Sequence, residues 1–354
     1  MEGTASSAAG GRTARGYAAM EQGGAIVPWE FQRRAARPGD VVVRIQYCGV
    51  CHTDIHSVEK WGQEFPLVPG HEIVGEVIEV GGEVTRFAPG ETVLIGTIVD
   101  SCRECARCRE ALEPYCEKYP TLTYDGIDRV DGSRTRGGYS DVYMADERFV
   151  HHLPAGLDPA AAAPLLCAGI TTYSPLRHWG VGPGTTVGII GIGGLGHLAV
   201  KFARAMGAHV VAFTTSQAKV EEALALGAHE AVLSRDEETM KAQAFRFDFL
   251  LDTVSSTYPM DPFLLALKFD GTLCSLGIPD RFDFSPVNLT MGRRRISSSG
   301  VGGTRETREM LDFCAEHGIV ADIELITPDG INEAFERLRK GDVRYRFVLD
   351  LRGE

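Results

Sequence analysis

From Thr185 to Met206 the chain reads as a β-branched strand (Thr185–Ile190), a glycine turn and a helix (Leu195–Met206) in direct succession. The turn is Gly191-Ile192-Gly193-Gly194-Leu195-Gly196, a G-x-G-x-x-G spacing. After a strand and at the start of a helix, such glycines permit a tight turn. They also bring backbone amides against a pyrophosphate, and the helix N-terminus adds partial positive charge. The alternation continues: a stop at Gly207, a strand at His209–Thr214, a helix at Lys219–Leu226 ended by Gly227, and strands at Ala231–Ser234 and Phe247–Asp252. A helix through Leu264–Leu267 and a strand at Gly271–Leu276 follow. Strands alternating with helices predict a parallel sheet covered by helices, an α/β fold.

The end of the second strand selects the dinucleotide. A cofactor without a 2′-phosphate usually meets an Asp or Glu there, about twenty residues past the glycines. No acidic residue lies between His197 and Val220; Thr214, Thr215 and Ser216 occupy the position, with Lys219 just beyond. Hydroxyls and a cation suit a 2′-phosphate, so NADP(H) is expected.

Residues before about 158 have a different texture. Short β-branched runs at Asp40–Tyr47, Glu72–Val80 and Glu91–Ile98 alternate with turns at Pro38-Gly39, Gly81-Gly82 and Pro89-Gly90. They predict a β-rich, barrel-like domain. Asp158 is a candidate N-cap, with Pro159 at the first helical position, for the Ala-rich stretch to Cys167. Towards the end, Arg305–His317 and Asn332–Lys340 read as helices and Phe347–Leu351 as a strand. A length of 354 residues suits two domains. Met1–Thr13 is rich in Gly, Ala and Ser and lacks a basic start with an apolar core. It reads as a flexible tail, not a secretory signal, which makes the cytoplasm the expected location. The net charge of −12, with no long basic block, argues against a nucleic-acid partner. No apolar run reaches the roughly 18 residues of a membrane span.

Nine cysteines, an odd number in a long chain, argue against a disulfide framework. Four follow the spacing Cys102-x2-Cys105-x2-Cys108-x7-Cys116. Four thiolates from one short lobe close a tetrahedral zinc shell, and with no position left open that zinc is structural. Arg103, Arg107 and Arg109 stand among them to offset their charge. A second set is scattered: Cys51 in Tyr47-Cys48-Gly49-Val50-Cys51-His52-Thr53-Asp54, His71 and Glu72 after Pro69-Gly70, and Cys167 in Ala163-Pro164-Leu165-Leu166-Cys167-Ala168-Gly169. Each alone reads as an ordinary core residue. Together, two thiolates and an imidazole leave one position for water or substrate, the layout of a catalytic zinc.

With these motifs in this order, and with Asp-Val-Arg-Tyr-Arg-Phe-Val at 342–348, the chain resembles the zinc-dependent medium-chain alcohol dehydrogenases, in particular the cinnamyl alcohol dehydrogenase-like group. The resemblance spans roughly residues 15 to 354. It implies a GroES-like catalytic domain (1–162 and 305–354) and a Rossmann-type NADP-binding domain (163–304). It also implies a homodimer and two zincs per chain. The catalytic zinc falls to Cys51, not Cys48, with His71 and Cys167. Glu72 exchanges with the zinc-bound water, and Asp54 orients the ligand His, or acts as a simple helix cap. Cys48, Cys274 and Cys314 match no ligand position and read as core. Zinc serves as Lewis acid toward the alcohol or carbonyl oxygen and the nicotinamide carries the hydride. A proton relay runs through Thr53 and the cofactor ribose to His56. His52 and Arg346 match pyrophosphate contacts, the Gly191–Gly196 loop the pyrophosphate cradle, and Ser299 and Val301 flank the nicotinamide. The position that carries a bulky aromatic in plant lignin enzymes is Thr121 or Leu122 here, Gly300 opens the pocket further, and Trp61 is a candidate wall. The expected reaction is interconversion of primary alcohols and aldehydes with NADP(H). A dehydrogenase of polyols or secondary alcohols, or a non-catalytic protein of the same fold, are the alternatives.

Overall fold

The computed structural model describes residues 11–353. They form two compact units, one running to Cys167 and resuming at Asp322, the other Ala168–Ala321.

The first unit is built on a seven-stranded sheet. Its order is Ile323–Ile326, Arg346–Asp350, Asp40–Val50, Ile73–Val80, Thr92–Ile95 and Val150–His152, with Val142–Asp146 also paired to the long Asp40–Val50 strand. Only the first pair is parallel. Val41, Val43, Ile45, Ile73, Val77, Val93, Phe347 and Leu349 fill its core. Nearly every residue of Asp40–Val50 is buried. The strand therefore lies inside the unit, as its β-branched run requires. A hairpin, Arg12–Ala19 with Ile26–Arg33, pairs from Arg12↔Arg33 to Ala19↔Ile26. The expected tail of residues 1–13 is thus corrected at its end: Arg12 and Thr13 are strand residues, and the Gln32 amide donates to Thr13 Oγ1 at 2.7 Å. Residues 1–10 of that expected tail lie outside the described residues.

The second unit is a six-stranded, all-parallel sheet. Its order is Glu230–Leu233, His209–Thr214, Thr186–Ile190, Phe247–Asp252, Leu267–Ser275 and Arg295–Ser298. Counted along the chain this is 3-2-1-4-5-6, the Rossmann-type order, and it reverses beside the strand that leads into Gly191. Val187, Ile189, Val210, Val211, Leu250 and Leu251 are fully buried, consistent with helices on both faces.

Two boundaries differ from those expected at 162/163 and 304/305. Asp158 does cap a helix, its carboxylate accepting from the Ala161 amide at 2.8 Å. That helix is only Pro159–Ala162; Pro164 lies in a 3-10 turn, Ala163–Leu166, which keeps Cys167 with the first unit. At the other end, the helix Thr304–His317 packs on Ala168–His178 and so belongs to the second unit. Ser174 Oγ donates to Glu306 at 3.0 Å, Arg177 pairs with Glu309 at 2.7 Å, and the rings of Tyr173 and Phe313 meet at 5.6 Å. Among the described residues no helix is long and apolar enough to cross a membrane.

Candidate active site

Cys51 ends the buried strand Asp40–Val50 and caps the short helix His52–His56. His71 and Glu72 sit in the turn before Ile73–Val80, and Cys167 follows the 3-10 turn of Pro164. From these three places the fold brings Cys51, His71, Glu72 and Cys167 together: one ligand atom from each lies within 4.8 Å of all the others. The two sulfurs are 3.9 Å apart. Two thiols so close do not both ionise without a cation between them. The hydrogen bond with Cys167 pulls Cys51 well down and pushes Cys167 well up. His71 Nδ1 donates to Asp54 Oδ1 at 3.2 Å, which turns Nε2 toward the sulfurs. Despite its burial, the imidazole is held well above its usual range beside Asp54 and Cys51. Nε2 is 3.9 Å from Glu72 Oε1.

Glu72 is fully buried, and burial pushes its carboxyl up to about 7. Its Oε1 is paired with the buried Arg346 guanidinium. Its Oε2 has no hydrogen-bond partner among the described residues. A carboxylate oxygen orphaned beside two thiols and an imidazole is the donor set a divalent zinc would satisfy. Gly49 makes the room: a Cβ there would lie 1.9 Å from Glu72 Oε2.

The relay candidates lie on the same short helix. Thr53 is exposed, its hydroxyl 3.6 Å from Cys51 Sγ. His56 is half-buried with its ring 4.7 Å from that of Trp61, and His52 is exposed. Asp54 combines both roles considered for it. It accepts from the Cys51 amide at 2.9 Å, as a helix cap partner does, and also from His71.

The four-cysteine lobe closes on itself, its sulfurs within 4.8 Å of one another. The Cys105 amide donates to Cys102 Sγ and the Cys102 amide to Cys116 Sγ, each at 3.4 Å. Backbone donors, that of Glu117 first, pull the Cys105 thiol down to about 6. Amides aimed at sulfur favour thiolates, which fits four zinc ligands. The arginines do not all play the part expected of them. Arg103 pairs with Asp100 and Asp146 and Arg107 with Glu110, because carboxylates within reach neutralise them first.

In the second unit, Gly191 has φ +85° and begins the turn, and a Cβ at Gly196 would lie 1.9 Å from the Gly191 carbonyl oxygen. Gly193 faces open space, as close approach of a phosphate requires. Lys219 Nζ reaches back to the Ile192 carbonyl at 3.0 Å, which sets a cation at the glycine turn. Thr215 is exposed and Ser216 half-buried. Thr214 differs from expectation: its side chain is buried and its hydroxyl accepts from the Ser216 amide at 3.2 Å, so it shapes the turn from inside. Ser299 Oγ donates to the Gly300 carbonyl at 3.3 Å, and Val301 is half-buried.

Residues 37–155 match the alcohol dehydrogenase GroES-like domain family and residues 194–316 the zinc-binding dehydrogenase family. The aldehyde reductase YahK of Escherichia coli is 54% identical over 332 residues, 92% of this chain and 95% of that one. The chain belongs to the zinc-binding medium-chain alcohol dehydrogenases. Within them it falls in the cinnamyl alcohol dehydrogenase-like group and is an oxidoreductase acting on CH–OH groups. The structure of cinnamyl alcohol dehydrogenase SbCAD4 from Sorghum bicolor superimposes with a TM-score of 0.94 at 43% identity, covering 97% of this chain and 99% of that one. The cinnamyl alcohol dehydrogenase of Helicobacter pylori, solved with NADP(H), gives 0.89 at 37% identity, covering 96% and 98%.

Sequence reasoning misses three features of the dehydrogenase's site. Arg346, expected at a pyrophosphate, also forms a buried ion pair with Glu72 that sequence reasoning did not anticipate. Gly49 has only the Cys-Gly-Val-Cys run to flag it. Tyr139, whose hydroxyl donates to Asp54 Oδ2 at 3.1 Å, is announced only by the Gly137-Gly138 pair before it. At the position of the lignin enzymes' aromatic, Thr121 is buried with its hydroxyl on the Ile127 carbonyl at 2.9 Å, while Leu122 is exposed. Cys48, Cys274 and Cys314 are fully buried core residues.

Proposed function

We propose that this dehydrogenase interconverts primary alcohols and aldehydes with NADP(H), using one catalytic zinc at Cys51, His71 and Cys167 and one structural zinc at Cys102, Cys105, Cys108 and Cys116. The observation that carries the reading is the convergence of two thiols, one imidazole with its Nε2 toward them and one orphaned carboxylate oxygen. When bound, the zinc supplies Lewis acidity toward the reacting oxygen and the dinucleotide supplies or accepts the hydride. The chain's own residues do the rest. Asp54 fixes the His71 ring and its tautomer, and Arg346 holds Glu72 through Oε1 so that Oε2 faces the thiols. The Thr53 hydroxyl exchanges a proton with the reacting oxygen, and His56 passes it toward solvent.

NADP(H) is favoured by the cation of Lys219 on the glycine turn, by the exposed Thr215 and half-buried Ser216, and by the NADP(H) seen in the related Helicobacter pylori enzyme. We place the protein in the cytoplasm, in keeping with nine free cysteines. We also take it to be a homodimer. Strand Arg295–Ser298 is a sheet edge, and the same unit exposes Phe269, Val287 and Met291. A steady-state panel of aliphatic and aromatic aldehydes, secondary ketones and keto sugars with NADPH and NADH tests the function. A preference for ketones or sugars, or for NADH, would replace it.

Thr215→Asp is expected to shift preference toward NADH. A carboxylate there repels a 2′-phosphate and accepts from ribose hydroxyls. Like charges about 4 Å apart at an effective dielectric of ~20 repel by ~4 kcal/mol. Exposure of Thr215 leaves only a fraction of that. A third of it still moves the ratio of kcat/KM values for the two cofactors about tenfold.

Cys105→Ser is expected to lose one zinc equivalent and lower the melting temperature, because three thiolates and a hydroxyl close the lobe poorly. Turnover per folded molecule should change far less than on losing Cys51. Metal analysis and a thermal melt of the same preparation check this. Two zincs with an unchanged melt would remove the structural assignment.

A further inference from the structure

We infer that Tyr139 is a positioning residue for the zinc-binding imidazole, acting through Asp54; the inference rests on the catalytic-zinc reading above. Asp54 is fully buried, and its carboxylate has four donors. Oδ1 accepts from the Gly70 amide at 3.1 Å and from His71 Nδ1 at 3.2 Å. Oδ2 accepts from the Cys51 amide at 2.9 Å and from the Tyr139 hydroxyl at 3.1 Å. A carboxylate has about four lone-pair sites, so this one is saturated. Three of the donors belong to the ligand segments: Cys51, His71 and the residue before His71. Tyr139 is the fourth, 85 residues beyond Asp54, from a segment that supplies no ligand.

Its role follows from the torsion of the carboxyl group. The terminal sp³–sp² torsion of Asp is broad, so hydrogen bonds and not a rotamer well must fix it. With Tyr139, both oxygens are pinned and Oδ1 stays on His71. Without that hydroxyl, Oδ2 keeps the Cys51 amide, and the one other tyrosine beside the carboxylate, Tyr124, already shares its hydroxyl with Ser57 Oγ at 3.1 Å; rotation then carries Oδ1 off the imidazole. A half-satisfied buried carboxylate is also costly.

The backbone is built to deliver this side chain. The Gly137 amide donates to the Val68 carbonyl at 2.8 Å, Gly138 to Gly70 at 2.8 Å and Tyr139 to Pro69 at 3.0 Å. Residues 137–139 are thus zipped against the turn that presents His71. That approach needs two glycines. A Cβ at Gly137 would lie 2.1 Å from the Pro69 carbonyl oxygen, and one at Gly138 would lie 2.4 Å from Ile73 Cγ1. Gly70, with φ +97°, turns its own amide onto Asp54, and a Cβ there would meet the Tyr139 ring at 2.6 Å. The Tyr139 side chain is fully buried, so no solvent donor can replace it.

The test uses the metal site and not turnover. Tyr139→Phe removes the hydroxyl and keeps the ring, so the protein should stay folded, with a fall in melting temperature no larger than one lost buried hydrogen bond gives. Zinc loss to a chelator and the visible spectrum of the cobalt(II)-substituted enzyme are measured for wild type, Tyr139→Phe, Asp54→Asn and the double variant. Partners that hydrogen-bond a ligand His are typically worth 10–100-fold in metal affinity. One bond further out, we expect ~3–10-fold faster loss of one zinc equivalent and altered cobalt bands in Tyr139→Phe. We expect no further change on adding Tyr139→Phe to Asp54→Asn, since coupled residues are non-additive. Unchanged loss and spectrum in Tyr139→Phe, or additive effects in the double variant, overturn the inference. A wild-type enzyme holding no metal that Cys51→Ser removes would instead overturn the active-site reading, and the inference with it.

Discussion

Cys51→Ser is expected to give a folded protein that keeps one zinc of two and has lost at least ~10³-fold in kcat/KM. The fold should survive because the backbone work of residue 51 does not involve sulfur: its amide donates to Asp54 and it caps the helix His52–His56. A serine fits the same volume. What goes is the thiolate. The Cys51 thiol is already pulled down by its hydrogen bond with Cys167, whereas a hydroxyl stays protonated at neutral pH and is a poor zinc ligand. Only His71 and Cys167 then remain with the carboxylate of Glu72. Lewis-acid stabilisation is worth several kcal/mol in the transition state, and each ~1.4 kcal/mol is tenfold in rate. Metal content, a thermal melt and kcat/KM on one preparation separate this from Cys105→Ser, where stability falls first. Retention of two zincs with near wild-type rate would mean that Cys51 is a core residue and the zinc lies elsewhere.

The contrast between the two cysteine sets is also the contrast between what the chain declares locally and what only folding assembles. Cys102, Cys105, Cys108 and Cys116 lie in one short lobe, so their spacing nearly specifies their geometry. Cys51 and Cys167 are 116 residues apart, and no periodicity joins them; the resemblance of several motifs in order does. Five of the six parallel strands were legible because strand and glycine signals recur from Thr185 to Leu276; the helix Glu237–Lys241 and the edge strand Arg295–Ser298 were not read. The hairpin Arg12–Ala19 with Ile26–Arg33 was not, since Arg-Thr-Ala-Arg-Gly-Tyr-Ala-Ala has no β-branched run and is held by its register. The helix Ala168–His178 was hidden by Gly169 at its start and Pro175 inside it, where tertiary packing outweighs propensity. Burial was the other blind spot. Thr214 and Thr215 are the same residue type side by side, yet one is inside and one outside because the buried strand His209–Thr214 ends between them. The Arg346–Glu72 pair bridges 274 residues of chain and leaves no mark in the sequence.

Thr53→Ala is expected to lower kcat/KM by roughly 10²–10⁴-fold, the usual contribution of a positioned acid–base group. Zinc content and melting temperature should stay near wild type. The expectation follows from where the hydroxyl sits. Thr53 Oγ1 is 3.6 Å from Cys51 Sγ, so the hydroxyl stands beside a residue that would hold the zinc, and Thr53 is exposed. Asp54, Ile55 and Ser57 beside it face inward and are buried, so the packing of this segment does not depend on Thr53. Removing an exposed hydroxyl and a methyl costs little stability. Thr53→Ser should restore most of the rate, because the proton-carrying group remains and only the methyl is lost. His56→Ala should be milder than Thr53→Ala, since His56 is half-buried at the outer end of the helix and water can take its place. If the hydroxyl served only to cap or pack, Ala and Ser would differ in melting temperature and agree in turnover. A folded, zinc-loaded Thr53→Ala enzyme with full activity would therefore remove Thr53 from the proton path and leave the reacting oxygen to exchange its proton directly with water.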